Sequence, residues 1–247
     1  MSGWAAVRTI AKRELAGYFD SPVAYVFLVI FLLLAGIFTF TFGGFFDRGE
    51  AALFSFFNWM PWLFLFLVPA IGMRLWSEER RLGTLELLLT MPVTTAQAIL
   101  GKFLASWLFI AIALLLTFPV VITVNWLGDP DNGVIAAGYV GSLLLGGTYL
   151  ALASMTSAIT RNQVVAFIIA VVLCMLLILV GFTPITDLMA RYLSPRVIES
   201  IAGFSVMTHF DGFQKGVLDT RDVLYFLSVI GFALFTTGVI IRSHRAG

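Results

Sequence analysis

Charge is what this sequence has least of. Only 12% of its 247 residues are Asp, Glu, Lys or Arg, about half the roughly 25% usual in a soluble globular domain. That is too little polar surface to cover a water-facing globule, so the main solvent must be lipid. There is one cysteine, Cys174, which excludes an intrachain disulfide and a cysteine-cluster metal site. The only two histidines, His209 and His244, lie far apart in the chain. No zincin pattern or nucleophile elbow accompanies them. A net charge of +1 gives no strong global field and no sign of a nucleic-acid partner. A phosphate-binding loop is also missing. Gly101-Lys102 is the sole Gly-Lys pair, and it has neither a glycine five positions earlier nor a Ser or Thr after it. A cleavable signal is not expected, because Arg8, Lys12 and Arg13 precede an apolar run far longer than the roughly 7–15 residues of such a segment; the whole chain is taken as mature protein. No catalytic, cofactor-binding or metal-ligating residue is expected on this chain.

What is present is apolar length. Hydrophobic residues make up 60% and aromatics 15%, with 24 Phe. A helix needs about 20 mostly apolar residues to cross a bilayer. Six uncharged stretches meet that test, at about 22–46, 52–73, 103–127, 134–159, 164–185 and 223–241. They define a single all-α transmembrane domain over 1–247. Local signals agree with these bounds. Ser21-Pro22 is an N-cap followed by proline at the first helical position. Thr94 to Gln97 has the form of a capping box. Gly128 to Gly133 is a polar turn, and Asp219 to Asp222 places carboxylates at a helix start. Six spans put both termini on one side. With the N-terminus inside, the inner segments hold Arg8, Lys12, Arg13, Arg74, Arg80, Arg81, Lys102, Arg161, Arg242 and Arg245, twice the outer number. The positive-inside rule then predicts a multi-pass protein of the bacterial inner (plasma) membrane with both ends cytoplasmic.

The spans contain no ionisable residue. Such residues mark proton or ion coupling, and charged rings mark many channels, so a secondary carrier or charged-ring channel is disfavoured. A pump of this build needs its energy from outside the chain, which directs attention to the extramembrane pieces. Residues 3–19 form an amphipathic helix, with Trp4, Val7, Ile10, Ala11, Leu15 and Tyr18 at helical spacing. Trp4, Arg8, Lys12 and Arg13 suit the headgroup level of a helix lying along the membrane plane. Between spans two and three lies a cytoplasmic loop, about 74–102, whose part 78–92 is dense in charge. Gly83-Thr84 can break the chain and cap a short helix, Leu85–Thr90, with Leu85, Leu88 and Leu89 on one face and Glu86 on the other; Pro92 stops it. From spacing alone, a solvated loop explains these residues as well as a docking element does. The outer segment 187–222 holds apolar stretches too short to span. Gly138, Ser142 and Gly146 recur at every fourth position of span four, a stripe that lets another helix approach, within the subunit or across a dimer.

The stretch Ser77-Glu78-Glu79-Arg80-Arg81-Leu82-Gly83-Thr84-Leu85-Glu86-Leu87-Leu88-Leu89-Thr90-Met91-Pro92-Val93 resembles the coupling-helix region of type-2 ABC (ATP-binding cassette) exporter permeases. Lys12 to Leu15 with Tyr18 to Val26, and His209 to Phe226, resemble the gliding-motility-associated, GldF-like branch. The resemblance covers essentially the whole chain. It implies the type-2 ABC exporter transmembrane fold and a half-transporter without an ATPase site. Its partners would be a dimer of separate ATPase subunits that bind ATP and Mg, and a second permease copy or related membrane subunit. A periplasmic-domain auxiliary subunit would be a further partner, with lipid around the whole. It implies ATPase coupling through Glu78, Glu79, Arg80, Arg81, Gly83, Thr84, Leu85, Glu86, Leu88 and Pro92, with Pro69, Gly72 and Pro119 as places for helices to bend. The expected function is export or extrusion of a substrate the sequence does not name. The alternative is a non-transporting ABC-type module that passes force or signal to a periplasmic or cell-envelope partner.

Overall fold

The structure, a computed structural model, describes residues 3–45, 52–84 and 93–243. Its elements are α1 (Gly3–Phe19), α2 (Pro22–Ile37) with a π-helical continuation Phe38–Phe42, α3 (Phe54–Gly72), α4 (Arg74–Leu82), α5 (Thr95–Leu115), α6 (Phe118–Leu127), α7 (Asn132–Ile159), α8 (Gln163–Leu179), α9 (Thr183–Met189), α10 (Pro195–Ala202), α11 (Val206–Gln214) and α12 (Thr220–Ser243). No strand occurs among the described residues. Among the described residues, five helical stretches are long and apolar enough to cross a membrane, and six if the bent pair α8–α9 is one span.

Caps set the starts of these helices. The Ser21 hydroxyl accepts from the Val23 N–H at 3.3 Å ahead of Pro22. Thr94 and Gln97 form the full reciprocal box, with the Thr94 N–H bonding Gln97 Oε1 at 2.9 Å and the Gln97 N–H bonding Thr94 Oγ1 at 3.3 Å. The Asp131 carboxylate accepts from Gly133 and Val134 at the head of α7. Asn162 does the same for Val164 and Val165 at the head of α8. Each contact satisfies first-turn donors that a helix cannot bond internally.

Three expected boundaries move. The charged stretch after span two is no loop: after Met73 the chain resumes as α4 and runs to Leu82, so span and charged element form one 29-residue stretch. Span three begins at Thr95, well before 103, and breaks at Leu116-Thr117 ahead of Pro119. Pro69, by contrast, sits inside continuous α3. Span five ends at Leu179, and α9 leaves it at 66°. The cause is local. A Cβ on Gly181 would stand 2.3 Å from Ser205 Oγ, so only glycine admits that approach. Pro184 then has no N–H with which to extend the ladder of α8.

Helix α7 is the centre of the bundle and packs against α12, α3, α8, α11, α5 and α4. Its small residues allow this. Cβ atoms built on Gly138 and Gly141 would lie 2.5 Å from the rings or side chains of Phe57 and Phe213, and one on Gly147 would lie 2.8 Å from Trp107 Nε1. The Gly138–Ser142–Gly146 stripe is therefore occupied within the subunit. The Trp107 indole N–H reaches the Leu143 carbonyl at 2.8 Å. Buried Ser142 and Thr148 return their hydroxyls to the carbonyls of Gly138 and Leu144, so these two hydroxyls need no water.

An equally tight approach joins α3 to α7: a Cβ on Gly72 would stand 2.3 Å from the Ala153 Cβ. Inserting side-chain volume into such a contact costs about 1–3 kcal/mol. Gly72→Val should lower the thermal unfolding midpoint of the purified protein, while Gly36→Val, at a position with open space beside it, should leave it nearly unchanged. Equal midpoints for both variants would contradict this packing.

Candidate functional site

Helix α1 does not lie free on the surface. It runs beside the start of α5 in the same direction, with Gly3 next to Gln97, Val7 and Ile10 on Gly101, and Tyr18 on Ser106 and Phe109. A Cβ on Gly101 would meet Ile10 Cγ2 at 2.7 Å, so this glycine sets the separation of the two helices. Val7, Ile10 and Tyr18 of the apolar stripe noted in the sequence are thus pressed on a protein helix, whereas Trp4 is not. The Tyr18 ring stacks on Phe109 at 5.1 Å, and its hydroxyl pairs with the Ser106 hydroxyl at 2.8 Å. Burial pushes the Tyr18 phenol up to about 12, so it remains a neutral hydrogen-bonding group. Trp4, Arg8, Lys12 and Arg13 all face outward, Trp4 being 70% exposed. Arg13 reaches the carboxylate of Glu14 at 3.3 Å.

Lys102 stands where α1, α4 and α5 meet. Its side chain is 7% exposed, and its ammonium lies 3.2 Å from Glu14 Oε2 and 2.9 Å from Glu79 Oε1. It also sits over the Trp76 ring, 5.7 Å from the centroid, close enough for a cation–π attraction. One cation therefore holds carboxylates from two other helices. The second Glu79 oxygen is buried and has no hydrogen-bond partner among the described residues.

The other side of α4 is fastened to the end of α7. Ser157 Oγ accepts from both the Trp76 and Ser77 N–H groups at 3.0 Å and donates to the Met73 carbonyl at 2.8 Å. A side chain from a distant helix thus caps the break between α3 and α4. The Trp76 indole N–H bonds Ser154 Oγ at 3.0 Å, and the Arg80 guanidinium donates to the Ala158 carbonyl at 2.6 Å. Arg74 and Glu78 pair along the helix at 3.2 Å. Gly83 ends α4 with φ +71, a left-handed conformation natural to glycine, and its N–H returns to the Glu79 carbonyl.

The region 78–92 therefore divides. Glu78, Glu79 and Arg80 are half-buried and bonded within the chain, whereas Arg81, Leu82, Gly83 and Thr84 face outward. Leu85, Glu86, Leu88 and Pro92 lie outside the described residues, and so does the expected helix Leu85–Thr90. The arrangement is a short charged helix, locked to three neighbours, that carries an exposed tip.

The model of the family described as "ABC-2 family transporter protein" matches residues 8–230. The chain belongs to the ABC-2 family of transporter proteins. A curated relative, the "Probable ABC transporter permease protein NosY" of Pseudomonas aeruginosa, is 34% identical over 163 residues, covering 62% of this chain and 59% of the relative. This chain thus matches less than two thirds of that protein's length. ABC-2 membership, with helices long and apolar enough to cross a membrane, makes the chain a multi-pass membrane protein of a transporter family. The matched region takes in α4 and α1 from Arg8 onward, and so the whole Lys102 cluster.

Sequence reasoning missed Lys102, Glu14, Trp76, Ser154 and Ser157. One signal was there: a lysine interrupting an otherwise apolar helix must find an acid or pay for burial. Removing it leaves two carboxylates facing each other. Breaking a buried ion pair costs about 3–5 kcal/mol. The partial exposure of Glu14 and Glu79, 24% and 21%, lowers the expectation to about 2 kcal/mol through solvent screening. Lys102→Met should reduce the unfolding midpoint by several degrees, and adding Glu14→Gln and Glu79→Gln should restore most of it. A midpoint unmoved by Lys102→Met would show that the cluster contributes nothing.

Proposed function

We propose that this ABC-2 chain is the transmembrane permease subunit of an ATP-driven transporter of the bacterial inner membrane, with both termini cytoplasmic and the ATPase dimer docking on residues 78–92. One observation carries this reading. Helix α4 is bonded to α7 through Ser157 and Arg80, and to α5 and α1 through Lys102, while Arg81 to Thr84 stay exposed. Pressure on that tip is passed to the central helix rather than absorbed in a loop. ATP and Mg belong to the ATPase, and a second permease copy or a related subunit completes the pathway. The relative's name, a probable ABC transporter permease, supports the same assignment. The GldF-like branch rests on the stretches Tyr18 to Val26 and His209 to Phe226.

Orientation is open to a direct test, because the single cysteine, Cys174, is buried. In a Cys174→Ala background, Thr84→Cys should react with a membrane-impermeant maleimide in inside-out vesicles, and Tyr192→Cys only in right-side-out ones. The reverse pattern would overturn the docking site. Coupling is tested on the complex with its ATPase. Glu79→Ala should cut vanadate-sensitive turnover at least several-fold while the subunits still copurify. Full turnover in that variant would remove α4 from the coupling path.

A second reading, a module that transmits force to a periplasmic or envelope partner, is favoured by the far end of the molecule. Helices α9 and α10 bury no residue, and Leu188, Tyr192 and Phe204 are exposed there. If this reading is correct, shortening the segment abolishes partner function; solute export retained by the shortened protein would count against it.

A further inference from the structure

The flank of the bundle carries a groove that the coupling reading does not use. It lies between the first turns of α5 and the last turns of α12, with a volume of about 230 Å³. Ile99, Leu100, Leu234 and Phe235 line it, Gly238 leaves it open and Arg242 stands at its end. The floor is solid, since Ile99 is buried. The rim is not: Leu100 and Phe235 are exposed, Phe235 by 72%. The opening at Gly238 is structural, for a Cβ there would lie 3.5 Å from Ile99 Cδ1, and a longer side chain would fill the slot.

Arg242 lies in the last turn of α12, is exposed, and has no hydrogen-bond or ion-pair partner among the described residues. Buried Lys102 and half-buried Arg80 of this end are matched, by two carboxylates and by a carbonyl; of the exposed cations without a partner among the described residues, Arg242 is the one that lines the groove. A cation at a helix C-terminus complements the helix dipole, but the dipole does not explain an open apolar slot beneath it. Both helices cross the membrane, so what enters the slot comes from the bilayer. An apolar cleft with an unmatched positive charge at its end has the polarity to take a single anionic phospholipid. Its acyl chain would lie against Ile99 and Phe235 and its phosphate against the guanidinium. Arginine is suited to this, because its planar donors pair with two phosphate oxygens at once.

We propose that the α5–α12 groove is a binding site for one anionic phospholipid in the leaflet at the α4 end, held by Arg242 and admitted by Gly238. The site does not depend on docking of an ATPase, and it distinguishes a held lipid from the general lipid shell.

The test uses the full chain in bilayer nanodiscs of equimolar phosphatidylglycerol and phosphatidylcholine, extracted gently and examined by native mass spectrometry. The wild-type protein should retain phosphatidylglycerol several-fold over phosphatidylcholine. Arg242→Gln should bring the two to parity. Gly238→Leu, with the charge in place and the slot filled, should reduce retention of both. Each variant must keep the wild-type unfolding midpoint in detergent, and Arg13→Gln, a cation away from the groove, should not change the ratio. Equal retention of the two lipids by the wild type would overturn the site, as would an enrichment that survives both Arg242→Gln and Gly238→Leu.

Discussion

Helices in lipid gain little by hiding apolar side chains from one another, because the acyl tails are as apolar as leucine. What holds them is close approach, with dispersion contacts and the polar bonds that close approach allows. In this protein α7 supplies it. Gly138, Gly141 and Gly147 admit Phe57, Phe213 and Trp107, and Ala153 meets the bare backbone of Gly72. Six helices can then surround one. A larger residue at these places would move a neighbour bodily, so the positions of α3, α11 and α5 all follow from missing side-chain atoms on α7.

The same helix provides the polar fastening at its end. Once Gly72 and Ala153 are in contact, the next turn of α7 puts Ser154 and Ser157 against the break at Met73. The orphan donors at the start of α4 are met there by Ser157, and α4 takes up a fixed direction. That direction carries Glu79 to Lys102, and Lys102 in turn holds Glu14 of α1. The ion cluster is therefore a consequence of packing: two helices with small facing residues bring a third and a fourth into ionic contact. It tolerates partial burial because one ammonium is shared by two carboxylates and a ring face.

Much of this was legible in the sequence where its cause is local. Ser21, Thr94 and Asp131 cap helices as their residue types predict, since a cap needs only its own next three residues. The apolar runs announced an all-helical chain with five to six helical stretches long enough to cross a membrane among the described residues. Charge misled at α4: Arg74, Glu78, Glu79 and Arg80 looked like a loop, yet the stretch is a helix; Arg74 and Glu78 pair along it, while Glu79 bonds Lys102 and Arg80 the Ala158 carbonyl, about 20 and 78 residues away. No local pattern announces such pairs. The break after Leu179 is intermediate. Gly181 and Pro184 were visible in the sequence, but the contact with Ser205 that requires the glycine was not. The stripe on α7 was visible too, although its periodicity alone could not say whether the neighbour was this chain or a copy.

The two ends of the bundle differ in kind. At the α4 end the helices are continuous and cross-linked by Lys102, Arg80, Ser157 and the Tyr18–Ser106 pair. At the opposite end lie the irregularities: the π-helical turn Phe38–Phe42, the interruption at Leu116-Thr117 and the 66° bend between α8 and α9. A π turn or an interrupted ladder has fewer regular hydrogen bonds to resist bending than an unbroken helix. Helices α9 and α10 add no buried anchor there. Under the proposed coupling, a displacement applied to α4 would move its bonded neighbours together, and the strain would be taken up where the backbone is already jointed. The inner end would then serve as the lever and the far end as the set of hinges.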